Sequence, residues 1–151
     1  GRKVNDSMGA FVADAAIKQM IEAGMAPKNA TVVVLGITFK EDCPDTRNSK
    51  VVDVINRLKE FDIQPVVTDP WADAEVAKHE YGVVLTDFDR LPKADCVIVA
   101  VGHSKFRALS MMQLKELFKK ELPDSEKVLI DVKSLYRMDE LKASGMRFWR
   151  L

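Results

Sequence analysis

Phe39, Lys40, Asp45 and Arg47 fall close together in the stretch TVVVLGITFKEDCPDTR, residues 31–47. Lysine brings a compact positive charge and arginine a planar two-pronged fork, a pairing suited to phosphate or diphosphate. The aromatic side chain beside them could cover a flat ring. Further along, His103-Ser104-Lys105-Phe106 and Lys133 each come just after an apolar run. Three separate segments thus carry cations just beyond stretches that read as strands. Taken singly, each has a plainer explanation. Lys40 followed by Glu41 and Asp42 reads as a solvated turn. Asp45 and Arg47 read as a turn or helix-capping pair, and Lys133 as surface decoration. His103 alone is more often a hydrogen-bonding loop residue than a catalyst. Trp71 and Trp149 suit packing, and Cys43 has no neighbouring base to activate it. Only together do the three loops point to chemistry.

The elements that position these residues alternate between strand and helix. Val32-Val33-Val34-Leu35 and the run 95–101, DCVIVAV, are apolar on both faces, as central parallel strands are. Residues 127–132, KVLIDV, form another. Residues 64–68 make a shorter strand broken by Asp69-Pro70-Trp71, residues 83–85 a brief one, and 146–149 an edge strand. Apolar residues at helical spacing predict helices over 48–61, 73–79, 111–120 and 138–143. An earlier helix, capped by Asp6 or Ser7, carries Met8, Phe11, Val12, Ala15, Ile17, Met20 and Ile21 on a broad stripe and ends at Gly24 and Pro27. The pattern predicts a three-layer, doubly wound, mainly parallel α/β sheet of Rossmann type with right-handed connections. In such sheets ligands bind beyond the carboxyl ends of the strands, where the three cationic loops would lie. The helix beginning near Asn48 would add a dipole favourable to an anion. A composition shift at 24–29 suggests two parts, 1–27 and 28–151.

The chain has 151 residues, 47% hydrophobic and 30% charged, enough for one full core. Its 23 basic and 23 acidic residues cancel, so no basic excess points to nucleic acid or a membrane surface. No apolar run is long enough to span a bilayer. Two unpatterned cysteines suggest a reducing, cytoplasmic setting, and the two histidines show no metal-ligand spacing. The abrupt, Met-less start reads as a piece of a larger protein. There is no G-x-G-x-x-G after any strand, and no Walker loop, nucleophile elbow or paired-carboxylate site. A self-standing dinucleotide-binding domain is therefore not expected. A flavodoxin-like or receiver domain is disfavoured because the strand ends are basic rather than acidic.

Several motifs together resemble one family, the UDP-glucose/GDP-mannose dehydrogenases. They are Val4-Asn5-Asp6, residues 35–40 (LGITFK), residues 45–49 (DTRNS), Thr68-Asp69-Pro70, residues 97–101 with Phe106, and Ile130-Asp131-Val132-Lys133. Their order matches the end of that family's central helical domain followed by its C-terminal, UDP-binding domain. FKEDCPDTRNS, GHSKF and DVKSLY look closest to the branch acting on UDP-N-acetylhexosamines in Vi-type and O-antigen polysaccharide synthesis. The resemblance implies an enzyme that oxidises the sugar C6 alcohol to a carboxylate in two NAD-dependent steps, through a thiohemiacetal on cysteine. It implies that Phe39, Lys40 and Lys133 bind the UDP-sugar and that Arg47 reaches the NAD. Lys133 stands where the family has an arginine. Asn5 and Asp6 would lie near the domain junction.

The resemblance also divides the chain. Residues 1–27 would close the central dimerisation domain and 28–151 would form the UDP-sugar domain of a homodimeric parent. The NAD motif, the catalytic cysteine segment and the central acid/base groups have no counterpart here. The expectation is no catalytic or metal-ligating residue in this piece, and no dehydrogenase activity from it alone. A second reading is a structural or dimerisation module with little ligand affinity of its own.

Overall fold

The computed structural model describes residues 2–151, with side chains from Met8 onward. The side chains of Val4, Asn5, Asp6 and Ser7, where a family motif and a helix cap are expected, lie outside the described residues. The helix backbone already runs from Arg2, ahead of the expected cap.

The elements in order are α1 (Arg2–Glu22), β1 (Val32–Leu35), α2 (Val51–Glu60), β2 (Val66–Thr68), α3 (Ala74–Tyr81), β3 (Cys96–Val99), α4 (Ser104–Arg107), α5 (Met111–Lys115), β4 (Val128–Asp131), α6 (Met138–Ser144) and β5 (Arg147–Arg150). The strands form one sheet in the order β2-β1-β3-β4-β5. Every pairing is parallel, so the expected mainly parallel sheet is wholly parallel. The middle strands β1, β3 and β4 are buried along their whole length, because helices cover both faces.

Alternating residues divide the core. Val32, Val34, Cys96, Ile98 and Ile130 join α1 and α2 on one side. Val33, Leu35, Val97, Val99 and Leu129 meet Phe106, Leu114, Phe118 and Leu141 on the other. Helix α1 shares the core of the sheet, inserting Val12, Ala13, Ala16, Ile17 and Met20. Phe11 and Ile21, expected on the apolar stripe, are instead more than half exposed. Gly9 lets α1 approach α2 closely: a Cβ there would stand 2.4 Å from Asp53 Cβ.

Element boundaries differ from expectation where local chemistry intervenes. Helix α2 begins at Val51 rather than Asn48, because Asn48 is in the left-handed region at φ 62° and cannot continue a right-handed helix. Helix α5 stops at Lys115, after which Leu117 and Lys119 tie to Ala94 ahead of β3. Residues 83–85 make only a single bridge, Leu85 to Val67.

Candidate functional site

Strand order reverses between β1 and β3, whose connections leave in opposite directions. This opens a crevice beyond their carboxyl ends. Gly36 makes the first turn out of β1 at φ 99°, and a Cβ there would stand 2.6 Å from Val101 Cβ, so only glycine fits.

Asp69, at the end of β2, ties its own turn to the one leaving β1. Its Oδ2 accepts from the amides of Ile37 at 2.7 Å and Thr38 at 3.3 Å. Its Oδ1 accepts from the amides of Trp71 at 2.7 Å and Ala72 at 2.9 Å. The Asp69 side chain is fully buried, and so is that of His103, whose Nε2 lies 2.9 Å from Asp69 Oδ2. The other ring nitrogen, Nδ1, accepts from the Asp42 amide at 2.9 Å, which assigns the imidazole proton to Nε2. Burial pushes the Asp69 carboxyl upward. Donation from His103 and from the amides of Ile37, Trp71 and Ala72 outweighs it, holding the group below the ordinary carboxylate value.

A groove of about 400 Å³ opens beside this network, over the ends of β1, β3 and β4. Val12, Val51, Ala100 and Val132 give it apolar walls, and Phe39, Lys50 and Lys133 also line it. Among the described residues, no Asp or Glu side chain lines it and neither lysine is in an ion pair. Lys133 is presented by a turn that Asp131 holds: its carboxylate accepts from the amides of Leu135 at 2.9 Å and Tyr136 at 3.0 Å. Lys50 sits just ahead of the first residue of α2, so the groove also faces the amino end of that helix.

The structure therefore brings Phe39 and Lys133 together and places Lys40 and Arg47 elsewhere. Lys40 is exposed on the same turn as Phe39 but does not line the groove. The Arg47 side chain is 84% exposed, and its guanidinium grips Asp45 through two 3.0 Å bonds. That pairing holds Asp45 below the ordinary carboxylate value. Cys43 is half-buried and Trp71 exposed, neither lining the groove; Trp149 packs against Phe11 with ring centres 5.8 Å apart.

The turn after β1 does not fit a dinucleotide pyrophosphate. The amides that would cradle phosphate, those of Ile37 and Thr38, are already taken by the Asp69 carboxylate. Among the described residues, no group of three His, Cys, Asp or Glu could hold a metal ion. Among them, too, no helix is long and apolar enough to cross a membrane.

Lys50 escaped the sequence reading because it fell inside the expected helix. Its place just after the Arg47-Asn48-Ser49 turn was the available signal. The Asp69–His103 pair, 34 residues apart in sequence, left no local trace.

The all-parallel sheet, its reversal point and the cation-lined groove there define a doubly wound α/β nucleotide-binding class of protein. The model of the UDP binding domain of the UDP-glucose/GDP-mannose dehydrogenase family matches residues 33–138, and the chain belongs to that family. It is 41% identical over 143 residues, 95% of its length, to UDP-N-acetyl-D-glucosamine 6-dehydrogenase of Pseudomonas aeruginosa, covering 32% of that protein. It is 38% identical over its full length to Protein CapL of Staphylococcus aureus, covering 34%. The structure of an NDP-N-acetyl-D-galactosaminuronic acid dehydrogenase from Methanosarcina mazei Go1 shares the fold over 99% of this chain and 30% of its own, at TM-score 0.82 and 24% identity. The chain thus spans about a third of the curated relatives it matches.

Proposed function

We propose that this chain is the UDP-sugar-binding part of an NAD-dependent nucleotide-sugar 6-dehydrogenase, which oxidises the C6 alcohol of a UDP-N-acetylhexosamine to the carboxylate for polysaccharide synthesis. The observation that carries the reading is the groove at the β1/β3 reversal, which among the described residues has an aromatic rim, two lysines in no ion pair and no acidic side chain. Its volume falls in the ordinary range of ligand pockets, roughly 300–1,000 Å³.

In this reading Phe39 covers the nucleoside or sugar ring. Lys133 and Lys50 face the diphosphate, and Lys40 meets it from the rim. Arg47, fully outward, contacts an NAD held mainly by another domain. The hexosamine is inferred from the Pseudomonas aeruginosa relative at 41% identity, a UDP-N-acetyl-D-glucosamine 6-dehydrogenase. Residues 1–27 close a central dimerisation domain and 28–151 form the UDP-sugar domain. The parent is a cytoplasmic homodimer, and this chain alone does not turn over substrate. Its two cysteines are free thiols, in keeping with a reducing compartment.

Calorimetric titration with UDP, UDP-N-acetylglucosamine, UDP-N-acetylgalactosamine and GDP-mannose tests this, with NAD as control. Saturable UDP binding without NAD binding is expected; no binding of any uridine nucleotide would reject the reading for this chain. A second reading, a structural or dimerisation module, is favoured by the exposed Phe11 and Ile21 of α1. Sedimentation showing a monomer at high concentration would reject it.

A further inference from the structure

His103 is a buried titratable group to which the proposed function gives no role. Its side chain is wholly inside the protein, and both ring nitrogens are committed. It cannot touch a ligand in the groove, so it is no general acid or base there. What it touches is the turn that carries Phe39 and Lys40.

The bonds bracket those two residues. On the near side, Nε2 lies 3.1 Å from Thr38 Oγ1, which itself donates to the Lys40 carbonyl at 2.9 Å. On the far side, Nδ1 takes the amide of Asp42. Asp42 is in the left-handed region at φ 53°, uncommon for a residue other than glycine though aspartate tolerates it better than most. Its carboxylate is held in turn by Ser104, through the amide at 3.0 Å and the hydroxyl at 2.5 Å. Phe39 N–H closes the turn on the Asp45 carbonyl at 2.7 Å. The backbone under Phe39 and Lys40 is thus fixed on both sides while their side chains stay exposed. A site that is held before the ligand arrives spends less ordering energy on binding.

We infer that His103 is a positioning residue of the nucleotide site: through Thr38 and Asp42 it sets the turn that presents Phe39 and Lys40. The role rests on the UDP-sugar reading for its ligand, but on this geometry alone for its effect on the turn. Because the ring acts as donor at one nitrogen and acceptor at the other, a residue with both functions replaces it and an apolar residue of similar size does not.

The test is UDP titration of this chain and amide hydrogen exchange at Phe39 and Asp42, for His103→Leu, His103→Gln and Ser104→Ala. His103→Leu is expected to weaken UDP about tenfold and to speed exchange at those amides; His103→Gln restores both to within about threefold. A folded His103→Leu with wild-type affinity and exchange overturns the inference. So does a folded His103→Gln as poor as His103→Leu, since the bonds would then be irrelevant. If His103→Leu does not fold, Ser104→Ala decides at the exposed end of the clamp. Faster exchange at Asp42 with weaker UDP binding supports the role, and no change in either overturns it. If the wild-type chain binds no UDP, the proposed function falls. Exchange then judges the clamp alone: release of the two amides by His103→Leu or Ser104→Ala supports it, and unchanged exchange overturns it.

Discussion

The two edges of the sheet treat their carboxylates in opposite ways. At the amino edge, acids neutralise lysines: Asp124 pairs with Lys115 and Lys127 at 2.9 Å, and Asp95 with Lys119 at 2.8 Å. Lys93 donates there to the Glu116 carbonyl. At the carboxyl edge, Asp69 is spent on backbone amides and His103, while Lys40, Lys50 and Lys133 form no ion pair among the described residues. One edge is electrostatically closed. The other is mechanically closed and, although Asp45 neutralises Arg47 there, leaves Lys40, Lys50 and Lys133 in no ion pair among the described residues, which suits an anionic ligand: fixed backbone and available positive charge. The lysines look alike in the sequence, and only the placement of the acids separates them.

The comparison breaks most severely at Asp69. Asp69→Ala strands the amides of Ile37, Trp71 and Ala72 and the His103 ring N–H, several buried donors at once, and is expected to cost about 3 kcal/mol or more in urea unfolding. The same group gives acid sensitivity. Its folded-state pKa lies below the ordinary value of 3.8, so its contribution is complete above that pH and fades as pH falls through the lower, folded value. Asp69→Asn should remove that part of the acid transition. A flat acid limb in the wild type would contradict the assignment.

Next comes the open edge. Lys133→Ala and Lys50→Ala are each expected to weaken UDP by about 1.5–3 kcal/mol if they make charge-assisted bonds to phosphate, with a shallower salt dependence. Lys115→Ala should leave UDP affinity unchanged. Lys119→Ala removes a partly exposed pair and should lower stability by about 1 kcal/mol or less, without touching nucleotide binding. Smallest is Arg47→Ala. Among the described residues its guanidinium pairs with Asp45, and it faces solvent, so the melting temperature should not move. If Arg47 contacts NAD in a longer parent enzyme, as proposed, the same change there raises the KM for NAD.

The fold was legible because burial on both faces leaves β-branched runs such as Val32-Val33-Val34, and the five strands sit within a residue or two of their expected bounds. Short helices were less so. Helix α4 has only four residues, one of them buried, too few for a periodic signal. Within the site, the strand-end loops of Phe39, Lys40 and Lys133 could be read from their position after apolar runs. Lys50 could not, because a lysine at a helix start looks like any solvated helical residue until the groove beside it is seen. The Asp69–His103 bond was hidden for another reason. It joins the ends of β2 and β3, and β1 lies between them in the sheet, so nothing in either local sequence specifies the other.

The most direct test of the account is UDP calorimetry on three proteins: this chain, its Lys50→Ala/Lys133→Ala double variant, and its Lys115→Ala/Lys127→Ala double variant. The account predicts saturable UDP binding by the first and third and near-complete loss in the second, with all three folded. Equal loss in both double variants, or binding that survives removal of Lys50 and Lys133, would contradict the claim that the uncompensated cations of the carboxyl edge hold the nucleotide.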